Sequence, residues 1–193
     1  MTTVRSARIC RDRGAGRRDF TGAARFYEQA VSAGPQSEIE DALGLLYLYM
    51  GEQPEACRTL EKAIEHDPKY LLPYEHLAAA YLEQRRYQEL AALSNRALAI
   101  DPRWMTGHAY LAEARAGEGN LEAAQRSAET ASEISRGRAP GPYLLLAKIH
   151  WARRDCPRAR QFLERYLELN TSARKAPELS KWMGLVKACR VSP

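Results

Sequence analysis

The chain has few of the features that carry chemistry. Its four cysteines form no Cys-x-x-Cys pair and have no histidine at zinc-ligand spacing, so neither a zinc site nor a disulfide framework is predicted. We expect Cys10, Cys57, Cys156 and Cys189 to be reduced, mostly buried thiols. Glycine-rich phosphate loops, Gly-x-Ser-x-Gly elbows and His-Glu-x-x-His pairs are also missing. We therefore expect no enzymatic activity, no cofactor and no metal.

Long apolar runs are missing as well. The longest, Ala42 to Met50, is far shorter than the ~20 residues that span a bilayer. The arginine-rich N-terminus lacks the apolar core of a secretory signal. We therefore expect a soluble, cytoplasmic protein without a transmembrane segment. An organelle transit peptide is a minor alternative, which Asp12 and Asp19 disfavour because such peptides contain few acids.

Charge is distributed unevenly along the chain. The net charge is +5, yet residues 37–101 contain twelve acids and only six lysines and arginines, so the ends are basic. Residues 1–18 contain six arginines and little apolar periodicity, which predicts a flexible basic segment. The basic ends suggest contact with nucleic acid or an anionic surface. Opposite charges in the middle and at the ends also permit head-to-tail self-association.

The sequence nearly copies itself between Asp41 and Pro102. Self-similarity at a period of this length is typical of a helical solenoid, in which each unit buries its apolar face against its neighbours. The residues Leu43, Gly44, Tyr47, Ala56, Leu60, Ala63 and Pro68 recur 34 positions later as Leu77, Ala78, Tyr81, Leu90, Ser94, Ala97 and Pro102.

This pattern resembles the tetratricopeptide repeat, a helix–turn–helix unit. The resemblance implies an all-α fold, a right-handed solenoid of antiparallel helix pairs. The third repeat departs from the motif at Arg115, where tyrosine is expected, and at Arg136, where proline is expected, and the linker after it is one residue longer than the period. The expected organisation is a half repeat at 19–36, repeats at 37–70, 71–104, 105–138 and 140–173, and a capping helix at 176–193.

Local signals predict where the helices begin and end. Ser37 and Glu40 are close to a capping-box arrangement, and the helix that they open should reach Met50. Pro54 suits the first turn of the next helix, where a backbone N–H has no intrahelical partner. The pair Asp67-Pro68 should end that helix, because proline cannot donate the helical hydrogen bond.

The four histidines do not form a predicted ligand set. His66, His76, His108 and His150 fall at four different places in the repeat register. Ligands supplied by a repeated unit would recur at one place. We therefore expect packing or surface roles for all four.

The family resemblance implies that the first helix of each pair lines a concave face that binds a peptide or helical segment of a partner protein. Such a scaffold would have an assembly or chaperone-type role. Acids and apolar side chains dominate this face, so the expected partner combines apolar anchors with basic residues. An alternative is that the apolar residues pack between helices and that the acids form a solvated face. The expected binding residues are Asp41, Leu45, Leu48, Tyr49, Leu72, Glu75, Ala79, Leu82, Glu113, Lys148 and Trp151.

A binding site for chaperone C-termini is not expected. Family members of that type hold the terminal carboxylate with lysine and asparagine on the first helices. The corresponding positions here carry Asp41, Leu45, Ala79, Thr106 and Tyr110. An acidic groove would repel a carboxylate. The two best-formed repeats, 37–70 and 71–104, are nevertheless the expected centre of binding.

Overall fold

The computed structural model describes residues 16–189, apart from the side chains of residues 16–19, 174 and 187. Most of the predicted basic segment 1–18, Cys10 and the last four residues of the predicted cap lie outside this range. The described residues form α-helices, one 3-10 helix at Thr171–Lys175, and the connections between them. The helices are α1 Gly16–Ala33, α2 Ser37–Met50, α3 Gln53–His66, α4 Leu72–Glu83, α5 Tyr87–Ile100, α6 Met105–Gly117, α7 Leu121–Ile134, α8 Gly141–Ala152, α9 Cys156–Leu169 and α10 Pro177–Ala188.

Several predicted helix boundaries are confirmed. Helix α2 ends at Met50, and Pro54 lies in the first turn of α3. Helix α3 ends before Asp67-Pro68, where the Asp67 carboxylate accepts a hydrogen bond from the backbone N–H of Lys69 at 2.9 Å. This side chain offers the backbone an alternative to further helical bonds.

The predicted capping box at the start of α2 is wrong. The residue before the helix is Gln36, and its side chain makes no capping hydrogen bond. Ser37 instead donates its hydroxyl to the carbonyl of Ala63, at 2.8 Å, and Glu40 bonds His66. Both side chains serve tertiary contacts with α3, which the local sequence could not reveal.

The turn inside each helix pair contains one residue in the left-handed conformation. These residues are Gly51, Arg85, Gly119 and Arg154, with φ between 57° and 83°. Their spacing is 34, 34 and then 35 residues, so the extra residue predicted before the fourth repeat is present. Glycine adopts this conformation freely, whereas an arginine held there costs about 1 kcal/mol.

The chain divides into two compact units, one ending at Gln84 and the other beginning at Arg85. The boundary lies between α4 and α5, inside the predicted repeat 71–104. In the first unit, buried Leu43, Leu60, Ile64 and Leu77 form much of the core. The backbone of Gly44 approaches Leu60 so closely that an added Cβ would lie 2.6 Å from its Cγ.

The core of the second unit is rich in alanine. Ala112, Ala124 and Ala128 are fully buried and pack in one cluster with Leu146 and Ile149. A second cluster joins α8, α9 and α10 through Ala147, Ala159, Leu163, Tyr166 and Val186. The small side chains allow neighbouring helices to approach closely, as the motif requires.

The expectation that all four cysteines are reduced is wrong for two of them. Cys156, the first residue of α9, is disulfide-bonded to Cys189, which follows α10. Their Cα atoms lie 6.0 Å apart, within the usual range for disulfides. Because 33 residues separate the two cysteines, only the docking of α10 brings them together. Cys57 is free and half-buried.

Candidate partner-binding surfaces

In the first unit, α2 and α4 pack side by side as the first helices of neighbouring repeats. The side chain of Asp41 on α2 is bonded to His76 on α4, with 2.7 Å between Oδ1 and Nδ1. Asp41 is only 5% exposed. Its carboxylate therefore ties the two helices together and is not presented to solvent.

The preceding acid on α2 makes a similar bond. Glu40 is 1% exposed, and its carboxylate lies 2.5 Å from Nδ1 of His66 on α3. Two consecutive carboxylates of α2 thus bond histidines from the two helices α3 and α4. The two acid–histidine pairs agree with the structural roles expected for His66 and His76.

Burial, together with the negative charges of Asp41 and Glu38, raises the pKa of Tyr70.

The repeat register does not predict the Glu40–His66 pair. It places Asp41 on the binding face, because that position lies on the first helix of the repeat. The sequence does contain a signal that the two acids are buried. They are followed closely by Leu43 and Gly44, the motif residues that pack against neighbouring helices. Buried carboxylates need a partner, and histidine on a neighbouring helix can supply the donor.

The other predicted residues of the first unit lie on α2 and α4, where they are half-buried or exposed, and we refer to them together as the strip on α2 and α4. Leu72 is 47% exposed, and Ala79 is also exposed. The ring of Tyr49 stacks on Phe20 of α1, with 6.0 Å between centroids. The half-buried members of the strip are Leu45, Leu48, Tyr49, Glu75 and Leu82.

In the second unit, the predicted residues Glu113 and Lys148 form a pair. The Lys148 ammonium on α8 lies 3.4 Å from the Glu113 carboxylate on α6, and the two side chains are 52% and 30% exposed. This pair, like Asp41–His76, joins residues 35 positions apart on neighbouring first helices. It differs in lying at the surface, where solvent weakens the attraction.

A cleft of about 520 Å³ lies between α8 and α10. Trp151 on α8 and Trp182 on α10 contribute to its walls, and both are half-buried. Among the residues that the structure describes, the lining consists of Leu144, Lys148, Trp151, Glu178, Leu179 and Trp182. Lys148 and Trp151 belong to the predicted site, whereas the three residues from α10, Glu178, Leu179 and Trp182, do not.

The sequence does not predict the α10 residues of the cleft, because its pattern identifies this helix only as a cap. Its apolar residues are spaced for burial, and such a pattern does not distinguish a residue beneath a helix from one at the edge of a cleft. The position of α10 relative to α8 decides which residues remain accessible.

The two units differ in charge. Residues 16–84 contain twelve acids and six lysines and arginines, whereas residues 85–189 contain eleven acids and eighteen lysines and arginines. Many arginines of the second unit bind nearby acids, including Arg160 with Glu164 and Arg165 with Glu168, each at 2.9 Å. Many of these arginines are therefore paired locally, while an excess of seven positive charges, eighteen minus eleven, remains over residues 85–189.

Other kinds of site have little support within residues 16–189. This part of the chain contains no group of three or more histidine, cysteine, aspartate or glutamate side chains that could hold a metal ion. None of its helices combines the length and apolar character needed to cross a membrane. His150 is buried, stacks on Phe162 at 5.3 Å and bonds Asp155 at 3.2 Å, which is a packing role.

A family model described as tetratricopeptide repeat matches residues 41–70. The chain contains a tetratricopeptide repeat. The matched segment includes most of α2 and all of α3, together with the buried acid Asp41 and the close Gly44–Leu60 contact. The resemblance identified from the 34-residue period is therefore confirmed.

Solved structures extend the likeness over most of the chain. MamA is 22% identical, with a TM-score of 0.70 over 81% of this chain and 92% of that one. The thermophilic tetratricopeptide-repeat protein TTC0263 of Thermus thermophilus is 20% identical, with a TM-score of 0.70 over 87% and 90%. PilF of Pseudomonas aeruginosa is 17% identical, with a TM-score of 0.68 over 89% and 83%.

At these identities the likeness concerns the fold. The predicted all-α fold, a helical-repeat solenoid, is confirmed. No curated protein sequence matches the chain. A shared fold leaves the partner open, since function resides in sites that vary on a common frame.

Proposed function

We propose that this tetratricopeptide-repeat protein is a non-enzymatic scaffold that binds a segment of a partner protein. The observation that carries the proposal is the cleft between α8 and α10, to which Trp151 and Trp182 contribute. A concave, largely apolar site with a few polar groups is the usual form of a binding pocket. Tryptophan is also enriched among the residues that dominate binding energies. The partner segment supplies a bulky apolar side chain that enters the cleft.

Charged groups around the cleft support a partner that also carries basic residues. Lys148 lies beside Glu113, whereas Glu178 is exposed on the α10 wall. A basic residue next to the apolar anchor would pair with Glu178. Complementary charges of this kind mainly set the orientation and the rate of encounter, while the buried anchor provides most of the affinity.

The strip on α2 and α4 is a second proposed contact surface, described for the first unit alone. Leu72 is its most exposed large apolar residue, and Glu75 supplies a partly exposed carboxylate. Asp41 contributes indirectly, because its bond to His76 holds α2 against α4. An assembly or chaperone-type role is the context that we propose for such a scaffold.

The proposal is tested by selecting a random peptide library on the full chain. We expect the enriched peptides to share a bulky apolar residue next to lysine or arginine. Trp182→Ala should weaken their binding by about tenfold or more, because it removes one wall of the cleft. Leu185→Ala is the matched control, since Leu185 is 52% exposed on the same helix and does not line the cleft. Peptides that bind the Trp182→Ala variant as tightly as the wild type would contradict the proposal.

Self-association is a second candidate, favoured by the opposite charge of the two units. The acidic first unit of one copy would contact the basic second unit of another, a heterologous contact. Sedimentation velocity across a salt series tests this candidate, because screening must dissociate such a contact as salt rises. A salt-independent monomer would exclude it.

Nucleic-acid binding has weaker support, because several arginines that would contact phosphates bind neighbouring carboxylates.

A further inference from the structure

Helix α10 is attached covalently at both ends. Its N-terminal end continues the chain from the 3-10 helix Thr171–Lys175, and its C-terminal end is followed by Cys189, which is bonded to Cys156. The helix has twelve residues. A helix of this length is marginal in water on its own, so α10 depends on its attachments and its packing.

The packing of α10 involves one side of the helix. Val186 is buried, and Trp182 and Met183 are partly buried, against a cluster that includes Leu163 and Tyr166 of α9. The opposite side faces solvent, where the exposed residues are Ser180, Lys181, Gly184 and Leu185. The disulfide lies at the C-terminal end of α10, the end that contains the buried Val186.

The same helix supplies one wall of the cleft between α8 and α10, which we call the tryptophan cleft because Trp151 and Trp182 line it. Glu178, Leu179 and Trp182 contribute that wall, and α8 contributes the other. If α10 separates from α8 and α9, the cleft no longer exists. The state of the disulfide and the state of the cleft are therefore linked through one helix.

We propose that the Cys156–Cys189 disulfide is a redox clasp that keeps α10 docked and thereby maintains the tryptophan cleft. The inference deepens the proposed function and rests on it for its biological meaning, since it assigns a regulation to that binding site. Its structural part, the coupling of disulfide to helix docking, is independent of whether any partner binds.

Cys156 is 4% exposed and Cys189 is half-buried, so a reductant reaches the disulfide at the sulfur of Cys189. A surface cleft of about 400 Å³ is lined by both cysteines, together with Pro157, Arg160 and Val186 among others. A dithiol supplies the two electrons. One of its thiolates attacks a sulfur of the disulfide, and the other cysteine sulfur leaves as a thiolate and takes up a proton. The second thiol of the reductant then resolves the mixed disulfide, which leaves two protein thiols and an oxidised dithiol.

The test uses the full chain carrying Cys10→Ser and Cys57→Ser, so that only the clasp cysteines remain. Thiol labelling followed by mass measurement should find no reactive thiol in the air-oxidised protein and two after treatment with dithiothreitol. In the reduced protein, trypsin should cut after Arg174 and Lys175 about tenfold faster or more, because loss of the cross-link favours local opening of α10. Tryptophan emission should shift to the red as Trp151 and Trp182 become exposed.

Two further measurements distinguish the effect of losing the disulfide from a general loss of structure. Adding Cys189→Ser to the double-serine chain should give the behaviour of the reduced protein in cleavage and emission, with no response to dithiothreitol. The double-serine chain itself should recover slow cleavage when it is reoxidised. The proposal is overturned if both thiols label without reductant, or if cleavage and emission are the same in the oxidised and reduced chains. Failure of peptide binding alone would contradict the proposed function and leave these readouts unchanged.

Discussion

The two units hold their neighbouring first helices together with bonds of different character. In the first unit, Asp41 and His76 lie 2.7 Å apart and are both largely shielded from water. In the second, Glu113 and Lys148 lie 3.4 Å apart at the surface. Each bond joins residues 35 positions apart. Each unit therefore joins neighbouring first helices with a polar bond, but the two bonds lie at different positions of the repeat, one buried and the other accessible.

The cores differ in a corresponding way. Gly44 packs against Leu60 in the first unit, and the equivalent pair in the second unit is Ala112 and Ala128. Both solutions keep α-helices at close range, one by removing a side chain from the first helix and the other by using a short side chain on both. The first unit has the better-formed motif, and two of its acids are engaged internally. The second unit departs from the motif and carries the tryptophan cleft.

The largest expected effect concerns the buried bond. Asp41→Ala should lower the free energy of unfolding of the helices of the first unit by about 3 kcal/mol, because it removes one partner of a buried pair and leaves His76 without its acceptor. Glu113→Ala should cost less than about 1 kcal/mol, since exposed pairs contribute little. Native-state amide exchange within α2 and α6 measures both. Equal losses would remove the distinction between the two units.

A smaller effect is expected from overpacking the first unit. Gly44→Ala should destabilise by about 1–3 kcal/mol, because the new Cβ would lie 2.6 Å from Cγ of Leu60, although alanine has the better helix propensity.

Adding Leu60→Ala tests this explanation directly. The double variant recreates the Ala112–Ala128 pair of the second unit, so Leu60→Ala should cost less in the Gly44→Ala background than alone. Urea unfolding of the four chains gives the coupling energy. Strict additivity would show that Leu60 does not account for the glycine.

The smallest effect concerns Tyr47 on α2, whose hydroxyl donates to Glu28 of α1 at 2.7 Å. Burial and this bond raise the pKa of Tyr47 to about 12, above an ordinary value of 10. The folded state thus favours the neutral phenol, and the stabilisation is present below pH about 10 and lost as the pH rises towards 12. Tyr47→Phe should cost about 1 kcal/mol at neutral pH and weaken the loss of stability on the alkaline side.

The second unit again provides the comparison. Arg115 occupies the register position of Tyr47. Its guanidinium lies 2.9 Å from the carboxylate of Glu118, in a partly exposed pair at the C-terminal end of α6. Arg115→Ala should change stability by only about a few tenths of a kcal/mol. Urea unfolding under neutral and alkaline conditions measures both variants, and a difference titration of wild type and Tyr47→Phe by ultraviolet absorbance follows the phenol. An unchanged alkaline profile in Tyr47→Phe would exclude the raised pKa.

Predictability from sequence differed between the helices and the candidate site. The end of α3 at Asp67-Pro68 and the place of Pro54 in its first turn were predictable, because proline and aspartate act on the backbone within a few residues. Trp151 was predictable as a member of the first-helix face from its register. Trp182 was not, because its exposure depends on where a capping helix docks.

Sequence alone determined the 34-residue period, the all-α class and most helix boundaries. These follow from side-chain periodicity and from local effects of glycine, proline and aspartate on the backbone. Tertiary structure alone decided that Asp41 faces His76, that Cys156 meets Cys189, and that two tryptophans share a cleft. Each of these depends on the distance between side chains that are far apart in the sequence, which helix packing sets and which no local pattern records.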